Sequence, residues 1–147
     1  MRNIISLILF ILGFFTFAQN YKTAIGLKGG YPGYGSLSVK HFINNINAIE
    51  GNIGSGLYGF TVQGLYEWNK DLPTEGLNWY LGVGPNIGFY SKSSSAFFLS
   101  GSALLGIEYT FANIPLNLAL DLGPIVQFVP RFDVGIGGGI AIRYAIK

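Results

Sequence analysis

The feature that most constrains the fold of this chain is a strict alternation of large apolar residues with small or polar ones. In residues 77–90, LNWYLGVGPNIGFY, mostly large apolar residues occupy the odd positions from Leu77 to Phe89, and mostly asparagine, glycine or tyrosine the even ones. Successive side chains of a β-strand point to opposite faces, so this pattern predicts one long strand. The same alternation recurs in residues 97–111, 116–123 and 132–144.

The first half of the chain carries fainter versions of the same pattern. Strand candidates run from Tyr21 to Gly29, Ser36 to Ile43, Ala48 to Ile53 and Tyr58 to Trp68. Short segments rich in glycine, proline, asparagine and serine separate the candidates. The sequence therefore predicts an all-β fold of eight antiparallel strands that run up and down.

Residues 1–18 stand apart from this pattern. Arg2 precedes an unbroken apolar run from Ile4 to Phe17, and small residues around Ala18 fit a signal peptidase site. Fourteen apolar residues are fewer than the ~20 that a helix needs to span a bilayer. We expect residues 1–18 to be a cleaved signal peptide and residues 19–147 to form a single domain.

Composition bears on which face of the barrel points outward. A lipocalin-like carrier turns its apolar face inward toward a ligand, whereas an outer-membrane barrel turns it outward toward lipid. Charged residues make up only 11% of the chain and 22 residues are glycine, against about 25% charged residues in a typical soluble domain. A water-facing surface over eight strands would need more charge than this. We therefore expect an eight-stranded antiparallel up-and-down transmembrane β-barrel with its polar face toward the lumen.

The charges support this orientation because none of them falls on the apolar face of a predicted strand. An eight-stranded barrel is just wide enough for side chains to fill it, so opposite charges inside should pair and plug the lumen. A narrow or gated ion path through the same residues is the alternative. The predicted lumen charge network comprises Lys22, Lys28, Lys40, Glu50, Glu67, Glu108, Asp121, Asp133 and Arg143.

Aromatic residues on the apolar face fall near the two ends of the strands. The ten residue steps from Trp79 to Phe89 cover roughly 23 Å at ~3.3 Å per residue and ~45° tilt, close to the apolar band of such barrels. We expect two aromatic girdles that include Tyr21, Tyr58, Trp68, Trp79, Phe89, Phe97, Tyr109, Phe128, Phe132 and Tyr144.

Five blocks of the sequence carry a resemblance to a known class of protein. They read SLSVKHFI, TVQGLYEW, GLNWYLGVGPNIGFY, LLGIEYTFANIPLNLALDLGP and GGIAIRYAI. With them the chain resembles the small eight-stranded outer-membrane β-barrels of Gram-negative bacteria, the OmpA/OmpX-like class, over residues 19–147. The blocks look closest to a group of such barrels without an established activity, so the resemblance implies architecture and location only.

One string in the sequence imitates a nucleotide-binding motif. Residues 54–59, GSGLYG, match the G-x-G-x-x-G spacing, which binds a pyrophosphate only where a helix follows. Here the following residues alternate with period two and predict a strand. We interpret residues 54–56 as the tip of a hairpin and expect no cofactor.

Residues that could carry other chemistry are sparse. His41 is the only histidine of the chain. It falls on the apolar face, near the end of the barrel at which the amino terminus of the chain lies. The carboxylates are dispersed without ligand spacing and cysteine is absent, so we expect neither a metal site nor a catalytic centre.

The expected role is structural or a surface interaction, in the outer membrane of a Gram-negative bacterium. The expected partners are outer-membrane lipids, lipopolysaccharide and the barrel assembly machinery, and not nucleic acid. Two alternatives remain: an outer-leaflet lipid-modifying enzyme that uses His41, and a soluble periplasmic lipocalin-like carrier.

Overall fold

The computed structural model describes residues 21–55, 59–90 and 97–146, without the side chain of Tyr90. The predicted signal peptide lies outside these residues, as do residues 56–58, which are half of the GSGLYG string. Within the described residues the chain forms eight strands: β1 (Thr23–Tyr31), β2 (Gly35–Phe42), β3 (Asn47–Ser55), β4 (Gly59–Asp71), β5 (Leu77–Tyr90), β6 (Phe97–Thr110), β7 (Leu116–Val129) and β8 (Asp133–Ile146).

Each strand pairs antiparallel with the next, and β8 pairs with β1 to close a barrel. The predicted all-β, up-and-down architecture of eight antiparallel strands is therefore confirmed. Several strand ends differ from the prediction: β4 continues to Asp71 and β7 to Val129. The alternation fades there, but the ladders continue, with Asp71 opposite Asn78 and Gln127 opposite Asp133.

The barrel is apolar outside and polar inside. Leu27 is 68% exposed and Ile136 73%, whereas Lys40 and Glu67 are fully buried. Along β2 the buried and exposed residues alternate strictly, with serine, lysine and phenylalanine side chains inward. This distribution is the reverse of that in a water-soluble domain, where charged residues are almost never fully buried unless paired.

Glycines on the lumen face make room for the bulky side chains that point inward. Gly106 lies opposite Tyr80 and Gly88 opposite Phe98 in the β5–β6 ladder. A Cβ atom at either glycine would overlap the facing aromatic ring. The ring of Tyr80 can therefore lie over Gly106 of β6 and reach Asp121 on β7.

The described residues contain no helix that is long and apolar enough to cross a membrane.

Candidate functional site

The centre of the lumen holds a cluster of buried charges to which seven of the eight strands contribute. Each charged side chain occupies an inward position of its strand, and β5 contributes Tyr80 instead. Among the described residues the buried charged groups are three basic and four acidic side chains: Lys28, Lys40 and Arg143 with Glu50, Glu67, Glu108 and Asp121. We call these seven side chains the lumen charge cluster.

In the upper part of the lumen charge cluster the contacts centre on Lys28. The upper end of the barrel is the end away from the amino terminus. The Nζ of Lys28 lies 2.9 Å from Glu50 Oε1 and 2.6 Å from Asp121 Oδ2. The Tyr80 hydroxyl also donates to Asp121 Oδ2, at 2.7 Å. Arg143 Nη2 donates to Glu50 Oε2 at 2.8 Å. These contacts join β1, β3, β5, β7 and β8 across the lumen.

The lower part is organised by Lys40. Its Nζ lies 2.6 Å from Glu67 Oε2 and 3.2 Å from Glu108 Oε1. The same ammonium group lies 4.4 Å from the centre of the Tyr80 ring, within the range of a cation–π contact. The Tyr21 hydroxyl donates to the Glu108 carboxylate at 3.0 Å.

Uncharged polar side chains fill the lumen above this cluster. Asn52 Nδ2 donates to Glu50 Oε1 and Gln63 Oε1, at 2.8 and 2.9 Å. Asn86 Nδ2 donates to the hydroxyls of Ser100 and Ser102, at 2.9 and 2.7 Å. Near this layer a cavity of about 20 Å³ is lined by Lys28, Ser36, Asn52, Thr61, Gln63, Gly138 and residues 30–33 at the β1–β2 turn. That volume holds a water molecule and not a ligand.

The structure brings seven of the nine predicted lumen charges together and leaves two outside. Lys22 is exposed because it lies at a bend just before the first residue of β1, so its side chain does not follow the alternation of that strand. Asp133 is exposed at the first position of β8, and its Oδ1 accepts from the backbone N–H of Val134 at 2.9 Å. Both placements correct the prediction, since neither residue joins the lumen charge cluster.

Among the predicted girdle residues, Tyr21 is also placed differently. It is only 4% exposed, and its ring packs edge-on against Phe42 with centroids 5.2 Å apart. Like Lys22, Tyr21 precedes β1, so its odd position in the sequence does not direct its side chain outward. Its hydroxyl instead donates a hydrogen bond to Glu108. Tyr58 lies outside the described residues. The remaining girdle residues are exposed or half-buried on the outer surface: Trp68, Trp79, Phe89, Phe97, Tyr109, Phe128, Phe132 and Tyr144.

Sequence reasoning that followed charges alone missed the uncharged members of the lumen. Tyr80, Asn52 and Gln63 also bridge strands, through side-chain hydrogen bonds. The alternation in the sequence did indicate these residues. Each occupies an inward-facing position, like a charged residue on its own strand or on the next strand.

His41 lies exposed on the outer face, as its parity predicts. Its Nδ1 is 2.8 Å from the Thr23 hydroxyl, and no carboxylate of the described residues forms an ion pair with it. Over the same part of the chain, no three His, Cys, Asp or Glu side chains are grouped to hold a metal ion.

Comparison of the chain with protein-family models, with curated proteins and with solved structures found no match. The OmpA/OmpX-like resemblance therefore rests on the sequence blocks and on the shared barrel architecture alone.

Proposed function

We propose that this chain is an integral outer-membrane β-barrel of a Gram-negative bacterium, with a structural or surface-interaction role and an interior that does not conduct. The observation that carries the proposal is the apolar exterior. Burial of one leucine or isoleucine side chain stabilises a protein by about 1.5–3 kcal/mol, and Leu27, Leu122 and Ile140 are each more than 60% exposed. A lipid bilayer would cover these side chains.

Aromatic placement adds support. Phe60, Phe89 and Phe97 lie side by side on β4, β5 and β6 near the upper end of the outer surface. Trp68, Trp79 and Tyr109 lie on the same strands near the lower end. Aromatic bands at both edges of an apolar surface are typical of transmembrane barrels, where the rings sit at the level of the lipid headgroups.

The packed lumen supports the non-conducting part of the proposal. Arg143, Lys40, Glu50 and Glu67 are at most 1% exposed and are held by ion pairs. Barrels with an aqueous channel have about 16 strands or more, and eight strands leave room only for side chains. In this proposal the lumen charge cluster ties the strands together.

Neither alternative is favoured by a specific observation. A lipocalin-like carrier needs an apolar pocket, typically ~300 Å³ or larger, and the described lumen is ionic with a cavity of about 20 Å³. A lipid-modifying enzyme would need a base and a partner at the upper end. The hydrogen-bond partner of His41 is Thr23, near the lower end of β1 and β2.

Cell fractionation with a gel-shift assay tests the proposal. We expect the protein in the envelope after carbonate washing, and we expect the unheated sample to migrate differently from the boiled one, because folded barrels resist unfolding by cold detergent. Recovery in the soluble periplasmic fraction would contradict the membrane location. Steady conductance of the purified protein in a planar bilayer would contradict the plugged lumen.

A further inference from the structure

The lumen charge cluster does not balance if every group is ionised. Its three basic side chains carry three positive charges and its four carboxyl groups would carry four negative ones. A net charge away from water is expensive, because an isolated ion costs far more to bury than a neutral group. One carboxyl group therefore needs a proton or a bound cation.

Three of the four carboxyl groups each contact three or more donor groups. Glu50 accepts from Lys28, Asn52 and Arg143. Asp121 accepts from Lys28, the Tyr80 hydroxyl and the Gly139 backbone N–H. Glu108 accepts from Tyr21, Asn78 and Asn117 and pairs with Lys40. Several donors on a carboxylate favour its charged form.

Glu67 differs from these three. Both of its carboxyl oxygens are buried, and neither accepts a hydrogen bond from any described donor, although Lys40 lies 2.6 Å away. Lys40 divides its charge between Glu67 and Glu108 and donates to Asn69 Oδ1 at 2.8 Å. Glu67 is therefore the carboxyl group with the least compensation in the lumen charge cluster.

The ladder between β3 and β4 brings Glu67 to Glu50. Glu50 lies opposite Leu65 and Glu67 opposite Ala48, so the two glutamates are diagonal neighbours on the lumen face. Long side chains reach each other across such a diagonal, so the carboxyl groups of Glu50 and Glu67 can meet on the lumen face. Two carboxyl groups can form a hydrogen bond only if one of them carries a proton.

We infer that Glu67 is a proton-binding site: at neutral pH its carboxyl group is protonated and donates a hydrogen bond to the Glu50 carboxylate. The bound proton makes the lumen charge cluster neutral. The ionisable groups around it come from the other seven strands and from the residues before β1: Tyr21, Lys28, Lys40, Glu50, Tyr80, Glu108, Asp121 and Arg143. The inference concerns the interior of the folded barrel and does not depend on its location.

Infrared spectroscopy of the full-length protein folded in detergent at pH 7 tests this inference. We expect the carbonyl band of a protonated carboxylic acid, which shifts in heavy water. The band should be absent in Glu67→Gln and unchanged in the matched control Glu75→Gln, because Glu75 is exposed. Glutamine can donate to Glu50 as the acid does, so we expect the unfolding equilibrium constant of Glu67→Gln to stay within about threefold of the parent.

Other results would overturn the inference. A parent spectrum without the band means that Glu67 is ionised, and this holds even if the variant fails to fold. A band that persists in Glu67→Gln places the proton on another carboxyl group. Unfolding that depends on sodium or potassium concentration, in a protein without the band, means that a cation neutralises the cluster instead.

Discussion

At the scale of single residues, the lumen contains pairs in which a glycine lies opposite a large side chain and leaves space for it. Gly106 is the clearest case, because the Tyr80 ring occupies the space that any side chain at position 106 would need. Tyr80 in turn donates to Asp121 and lies beneath the Lys40 ammonium group. The absence of a Cβ atom at Gly106 therefore affects both the upper and the lower part of the lumen charge cluster.

We predict that Gly106→Ala destabilises the barrel by about 1–3 kcal/mol, the usual cost of overpacking a well-filled interior. The new methyl group would displace the Tyr80 ring and stretch its hydrogen bond to Asp121. Gly64→Ala is the matched control, since a Cβ atom there would meet nothing within 4 Å, and we expect a change below about 0.5 kcal/mol. Urea unfolding in detergent or lipid measures both. Equal stability of the two variants would show that the Tyr80 site has spare room.

At the scale of strands, alternation was enough to predict which face of each strand is buried. The bounds predicted for β5 match the structure, and the inward parity of Lys40, Glu50 and Arg143 follows directly from their positions. Parity failed for Tyr21 and Lys22, because the chain bends at Lys22, just before the first residue of β1. It also could not reveal partners across the lumen. Lys28 meets Asp121, 93 residues away, because of the stagger of the closed barrel, which is not encoded in any one strand.

Closure between the first and last strands can be tested with an engineered disulfide. Leu27 on β1 lies opposite Ile142 on β8, and both face outward. Directly paired strand residues have Cα atoms ~4.5–5.5 Å apart, within the range for a disulfide. The chain has no cysteine, so we expect Leu27→Cys with Ile142→Cys to form an intramolecular cross-link on mild oxidation. Non-reducing gel mobility detects it.

The control for this cross-link moves one cysteine two positions along β8. Leu27→Cys with Ile140→Cys keeps both side chains outward but offsets them by one diagonal step, because Ile140 lies opposite Gly29. We expect this pair to oxidise much less completely. Efficient cross-linking of the offset pair and not of the direct pair would mean that the β1–β8 register is shifted by two residues.

At the scale of the whole molecule, the two surfaces of one closed sheet have opposite chemistry. The inner surface pairs each of its three buried basic side chains with at least one buried carboxyl group. The outer surface has almost no charge and is bounded at each end by aromatic rings. These properties are complementary: a polar interior contributes little hydrophobic stabilisation, and an apolar exterior gains it only where another apolar phase covers it.

The two tryptophans can be used to test whether lipid covers the outer surface. Trp68 and Trp79 are the only tryptophans of the chain, and both lie on the outer face near the lower end of the barrel. We predict that tryptophan fluorescence of the protein in vesicles is quenched by brominated lipids, and more strongly when bromine lies near the headgroups than near the chain ends, because rim aromatics sit at the interface. Trp68→Phe and Trp79→Phe report each position separately. Fluorescence that is insensitive to brominated lipid but quenched by aqueous acrylamide would show that this surface faces water, and the membrane proposal would fail.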